Sequence, residues 1–63
     1  MLNKLKGKRV EKGLTQDDIS RLINMERATY VRKENGKAKF NLDEINKILD
    51  VLDCKFEDIF LVK

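Results

Sequence analysis

A chain of 63 residues with 40% charged side chains and a net charge of +3 has room for one domain, 1–63, with a modest core, so a second copy or another partner is expected to help complete it. The single Cys54 excludes a disulfide framework and points to a reducing setting, with the cytoplasm as the default compartment. Met1 to Lys12 carries five basic side chains and no apolar run that reads as a secretion signal or a membrane span.

No proline, repeat or low-complexity stretch marks a boundary, so hydrophobic spacing and helix breakers carry the reading. Leu2, Leu5 and Val10 lie along one side of a first, Lys-rich helical segment that ends near Glu11-Lys12-Gly13. Thr15 opens a second helix. Its hydroxyl can cap free backbone N–H groups, and Asp17 and Asp18 fall in the first turn, where the helix's partial positive charge favours acids. Ile19, Leu22 and Ile23 form its buried stripe. Asn24 tolerates the left-handed conformation and predicts a tight turn. A third helix runs from Glu26 to Glu34 with a basic exposed side and stops at Asn35-Gly36. After a basic link from Lys37 to Phe40, Asn41 caps a fourth helix with Glu44 three positions on, the spacing of a capping box. Leu42, Ile45, Ile48, Leu49 and Leu52 make one apolar stripe along it. Asp53 and Cys54 interrupt, and Phe56, Ile59 and Phe60 form a last short helix. The class that follows is all-α.

Charge divides the chain unevenly. Residues 1–40 hold eleven Lys or Arg against five Asp or Glu, and residues 41–63 hold three against six. The basic part suits a polyanion, whose released counterions drive association; the acidic part suits solvent or a protein neighbour. Mixed surface charge also serves solubility alone. Two helices joined by a turn of about four residues, the second bearing Arg and Thr, fit a helix to the roughly 12 Å major groove of a duplex, although many helical bundles contain such a pair.

The residues themselves are more specific. Arg9, Gly13-Leu14-Thr15-Gln16, Arg27-Ala28-Thr29-Tyr30, Glu34-Asn35-Gly36, the Leu-rich fourth helix and Phe56-Glu57-Asp58-Ile59-Phe60 together resemble the phage repressor and Cro-like, XRE-type helix-turn-helix family over nearly the whole chain. That resemblance implies a compact five-helix bundle of the lambda-repressor-like DNA-binding type, with helices two and three as the helix-turn-helix. It also implies a non-catalytic transcription regulator, a repressor or Cro-like switch, that binds a palindromic double-stranded DNA operator as a homodimer.

Carried over by position, Arg27, Ala28 and Arg32 face base edges, arginine being well shaped for the two acceptors of guanine. Taken without the motif, such arginines read first as ordinary solvated residues, and the Ala28 methyl either touches a thymine or only keeps the helix close. Gln16 positions the DNA backbone, joined by Asn35, Lys37 and Lys39 in the loop after the third helix, and by Thr29 and Lys33. Tyr30 reads as core with its hydroxyl reaching outward, so that a phosphate contact is open to it. Val31 reads as an exposed valine with incidental packing. Arg9 and Glu34 form a partly buried structural ion pair that braces the reading helix. The dimer surface falls on Phe56, Ile59, Phe60, Leu61 and Val62, which serve core closure equally well.

Some positions depart from the family pattern. Glu26 stands where a short capping residue is usual, Asn24 replaces a turn glycine, and Asp53 and Lys55 replace a glycine and a capping serine. Lys33 replaces an apolar residue, so its stem covers core while its ammonium snorkels out, towards DNA on one reading. Phe40 packs beneath the fourth helix.

With no histidine, one cysteine and dispersed carboxylates, nothing marks an enzyme, a cofactor or a metal site. Cys54, between two apolar segments, reads as a buried structural thiol. No small-molecule substrate or membrane partner is implied, and the cytoplasm, at the nucleoid of a bacterial or phage-infected cell, is the expected location. A protein-interaction module, such as an antitoxin-like partner using the apolar tail, is the alternative. Single-stranded RNA binding lacks an exposed aromatic platform.

Overall fold

Capping chemistry sets where the helices begin. In the computed structural model, which describes residues 3–60, these are α1 (Asn3–Glu11), α2 (Gln16–Leu22), α3 (Arg27–Glu34), α4 (Leu42–Leu52) and α5 (Phe56–Ile59). The described residues contain no strand, and the fold is all-helical as expected. Leu2, Leu61 and Val62 lie outside the described residues.

At α2 the cap is fuller than the expected hydroxyl alone. Thr15 Oγ1 accepts from the Asp18 N–H at 3.0 Å, and the Asp18 carboxylate accepts from the Thr15 N–H at 2.9 Å. Hydrogen bonding from the Thr15 N–H, and next from the Thr15 side chain, holds the Asp18 carboxyl below its usual range. The expected box at α4 is present: Asn41 Oδ1 accepts from Glu44 N–H at 2.8 Å and Glu44 Oε1 from Asn41 N–H at 2.9 Å. At α5 a lysine cannot accept, so only the Asp58 half forms, its carboxylate taking the Lys55 N–H at 2.9 Å. Glu26 makes no side-chain cap, and α3 starts bare at Arg27. Asn41→Ala is expected to cost about 1 kcal/mol, which a thermal melt reads as a fall of about 4–8 °C. An unshifted midpoint would mean that the cap contributes nothing.

Asn24 (φ 58°) and Asp53 (φ 51°) are left-handed, so both sites that replace a glycine still make the turn that glycine would make.

Every helix sends a residue to one core: Leu5, Ile19, Tyr30, Ile48, Leu52 and Ile59 are buried, with Ile23 from the turn after α2. α2 packs on α3 and on α4, and α1 packs on α5. Phe40 joins this core from beneath, its ring 5.8 Å from that of Tyr30 and 6.2 Å from that of Phe60.

Three members of the expected stripes are instead exposed: Val10, Leu22 and Leu42, the last at 72%. In α1 the inward positions are Leu5 and Arg9, four apart, which leaves Val10 turned away by about 100°. In α2 the stripe narrows to Ile19 and Ile23. In α4 the buried axis runs through Ile48 and Leu52; Ile45 and Leu49 fall on its half-buried flank, and Leu42 lies about 100° off it. Two further readings change. Val31 is half-buried rather than exposed, and Cys54 is half-buried against the core, where burial pushes its thiol pKa up and away from the reactive thiolate.

Candidate nucleic-acid interface

The outer face of α3 is set by what its inner face does. Tyr30 and Glu34, four residues apart, are both buried. Arg32 is about 180° around the helix from that stripe and Ala28 about 140°. Both are exposed, as is Arg27 at the first helical position. Among the described residues no acid pairs with Arg27 or Arg32; the nearest basic helix positions that are paired, Arg21 with Asp17 at 2.8 Å and Lys33 with Glu44 at 2.7 Å, show the contrast. Thr29 is half-buried beside them.

Behind α3 sits a polar hub. Glu34, 2% exposed, accepts from Arg9 Nε at 2.9 Å and Arg9 Nη2 at 3.2 Å, from the Tyr30 hydroxyl at 2.6 Å and from Gln16 Nε2 at 3.2 Å. Arg9 Nη1 donates to the Leu14 carbonyl at 2.7 Å. One carboxylate therefore ties α1, the start of α2 and α3 together, and no buried side-chain N or O among the described residues lacks a partner. The Arg9–Glu34 pair is present and both partners are buried, at 6% and 2% exposed, deeper than the partly buried pair expected. The outward reach expected of the Tyr30 hydroxyl is corrected by this geometry: it points inward at Glu34, leaving no phosphate contact, and burial together with that carboxylate pushes its pKa up.

Burial alone would raise the Glu34 pKa, yet the hydrogen bonds from Arg9, Tyr30 and Gln16 and the charge of Arg9 outweigh it, and the carboxyl lies below its ordinary value. Glu44 is lowered in the same way, burial being outweighed by Lys33 and the Asn41 N–H. A depressed acid binds fewer protons folded than unfolded, so its stabilisation is full above the unfolded pKa and is lost as pH falls through the folded one. The melting temperature is expected to decline as pH drops below about 4.3, the ordinary Glu value. A midpoint that stayed level in acid would contradict this.

Asn35, Lys37 and Lys39 are exposed in the loop between α3 and α4, as a surface for a polyanion requires. The loop is closed by Gly36 N–H to the Lys33 carbonyl at 3.1 Å and Lys37 N–H to the Arg32 carbonyl at 2.9 Å, with Gly36 at φ 82°. Gln16 is half-buried at the start of α2, on Glu34. Lys33 differs from the expectation. Its ammonium is engaged by both Glu44 oxygens at 2.7 and 2.9 Å and lies 6.0 Å from the Phe40 ring centre, so it turns to α4 instead of outward. Sequence reasoning missed this pair because Glu44 was already used by the cap, and it missed the Tyr30 hydroxyl bond. The i, i+4 spacing of Tyr30 and Glu34 was the available signal for the latter. Phe56 is half exposed and stacks on Phe60 at 5.3 Å.

Two short helices, separated by the four residues 23–26 and rigidly backed, with Arg32 on the outer face of the second and Arg27 exposed at its start, define the helix-turn-helix DNA-binding class. The match is specific: the family of Cro/C1-type HTH DNA-binding domains covers residues 4–62, and the chain belongs to it. Over 61 residues it is 38% identical to an uncharacterized HTH-type transcriptional regulator of Methanocaldococcus jannaschii, spanning 97% of this chain and 92% of that one. It is 33% identical over 61 residues to another, of Archaeoglobus fulgidus, spanning 97% and 86%. Among the described residues no helix is long and apolar enough to cross a membrane.

Proposed function

We propose that this chain acts as one domain, 1–63, in a transcription regulator of the repressor or Cro-like kind, placing α3 in the major groove of an operator. The observation that carries the reading is the exposure of Arg32, opposite the buried Glu34 hub, and of Arg27 at the first position of the same helix, both unpaired among the described residues. Arg27 and Arg32 read guanine edges, and Ala28 lets the helix approach. Asn35, Lys37 and Lys39, with Gln16 and Thr29 at the flanks, hold the phosphate backbone and fix the docking angle. Two copies bind a palindromic site with their reading helices about 34 Å apart. Phe56 and Phe60, continued by Leu61 and Val62, supply the contact between them. The protein works at the nucleoid, in the cytoplasm.

Selection from random duplexes with the purified protein tests this. Arg27→Ala and Arg32→Ala are each expected to relax preference at one base position per half-site, at a cost of about 1–3 kcal/mol, or roughly 5- to 150-fold in affinity. Lys37→Ala should weaken all sequences alike and reduce the slope of log affinity against log salt by about one. If both arginine variants weakened every duplex uniformly, they would be backbone contacts and the base-reading assignment would fall.

A further inference from the structure

One residue pins both ends of the basic loop. The Lys33 carbonyl accepts from the Gly36 N–H at 3.1 Å, closing the turn as the chain leaves α3. The Lys33 ammonium donates to Glu44 Oε1 at 2.7 Å, and that same oxygen accepts from the Asn41 N–H at 2.9 Å, where the chain enters α4. Between Gly36 and Asn41 lie Lys37 and Lys39, both exposed. Phe40, packed on Tyr30 and Phe60, forms a floor beneath the lysine. The Lys33 and Glu44 side chains are only 16% and 20% exposed, so solvent and salt screen the pair less than they screen a surface pair.

We propose that Lys33 is a positioning residue for DNA binding: by holding Glu44 it fixes the loop that presents Lys37 and Lys39 to the phosphate backbone, and it makes no phosphate contact of its own. Two of the three ammonium donors of Lys33 are already taken by Glu44 and its side chain is only 16% exposed, so little of the cation is left for a phosphate. A lysine that stays on Glu44 stiffens the segment, so the cost of ordering that loop is met before DNA arrives. This inference rests on the assignment of the loop to the DNA backbone.

The test compares Lys33→Met, Lys33→Arg and Glu44→Gln, with Lys37→Ala as reference, on an operator duplex recovered by selection and at several salt concentrations. Glutamine retains the oxygen that caps Asn41 and removes the charge that holds Lys33. Lys33→Met is expected to weaken binding about tenfold with an unchanged salt slope. Lys33→Arg, which can still reach Glu44, should restore most of the affinity, and Glu44→Gln should weaken binding much as Lys33→Met does. A phosphate contact predicts the reverse: a slope reduced by about 0.9 in Lys33→Met, and tighter binding in Glu44→Gln as the cation is set free. Either result overturns the proposal.

Amide hydrogen exchange on the free protein gives a readout independent of DNA. The Asn41 amide, bonded to the Glu44 oxygen that Lys33 holds, should exchange about tenfold faster in Lys33→Met while those of α1 and α2 keep their wild-type rates. Unchanged exchange in the loop overturns the brace whatever the binding data say. Should Lys37→Ala leave the salt slope unaltered while loop exchange does accelerate in Lys33→Met, the docking assignment of the loop fails and the positioning role fails with it.

Discussion

Arg9→Met is expected to remove a large part of the chain's stability. Glu34, 2% exposed, would keep the Tyr30 hydroxyl and the Gln16 amide but lose both guanidinium bonds and, among the described residues, the one charge facing it. Breaking a buried pair by removing one partner costs about 3–5 kcal/mol. The whole stability of a chain of 63 residues is on the order of 3–9 kcal/mol, so the loss is a large fraction of it. Thermal melting should fall by about 15 °C or more. The damage comes from the orphaned acid rather than from the missing arginine, and this can be separated experimentally. Pairing Arg9→Met with Glu34→Leu removes the stranded charge and is expected to recover much of the lost stability, because a packed apolar pair is often as stable as a buried ionic one. A single variant melting within a few degrees of wild type would mean that the hub bears no weight.

Ile48→Ala is expected to have the next largest effect. Ile48 is completely buried on the inner line of α4, so its truncation removes apolar contact and opens a void in a core to which all five helices contribute, at a cost of about 2–5 kcal/mol. Leu42→Ala on the same helix provides the control. At 72% exposure it should change stability by no more than about 0.5 kcal/mol. Equal losses in urea melts of the two variants would contradict the orientation of α4.

Much of this architecture was legible from residues alone, and the failures share a cause. Caps and turns are local events, written within four residues, so Thr15, Asn24, Asn41 and the Asn35-Gly36 stop could be read directly. Burial is decided by neighbours from elsewhere in the chain. The stripe in α4 was placed correctly along its length, but its width was not: Leu42 satisfies the period and yet lies past the edge of what the rest of the core covers. The inward turn of the Tyr30 hydroxyl and the tie between Lys33 and Glu44 each depend on two distant segments meeting. The expected exposure of Arg27, Ala28 and Arg32 followed from motif position, and each of the three is exposed in the fold.

The Glu34 hub has a bearing on how such a domain changes over generations. It fixes the rotation of α3 about its own axis using only inward-facing groups, while Ala28 and Arg32, two of the residues proposed to face the operator, stand on the opposite side of the same helix. Orientation and message therefore occupy separate surfaces eight residues long. Under the proposed reading, substitutions at 28 and 32 would change the target without renegotiating the scaffold, which would make the domain a rigid handle with an exchangeable key.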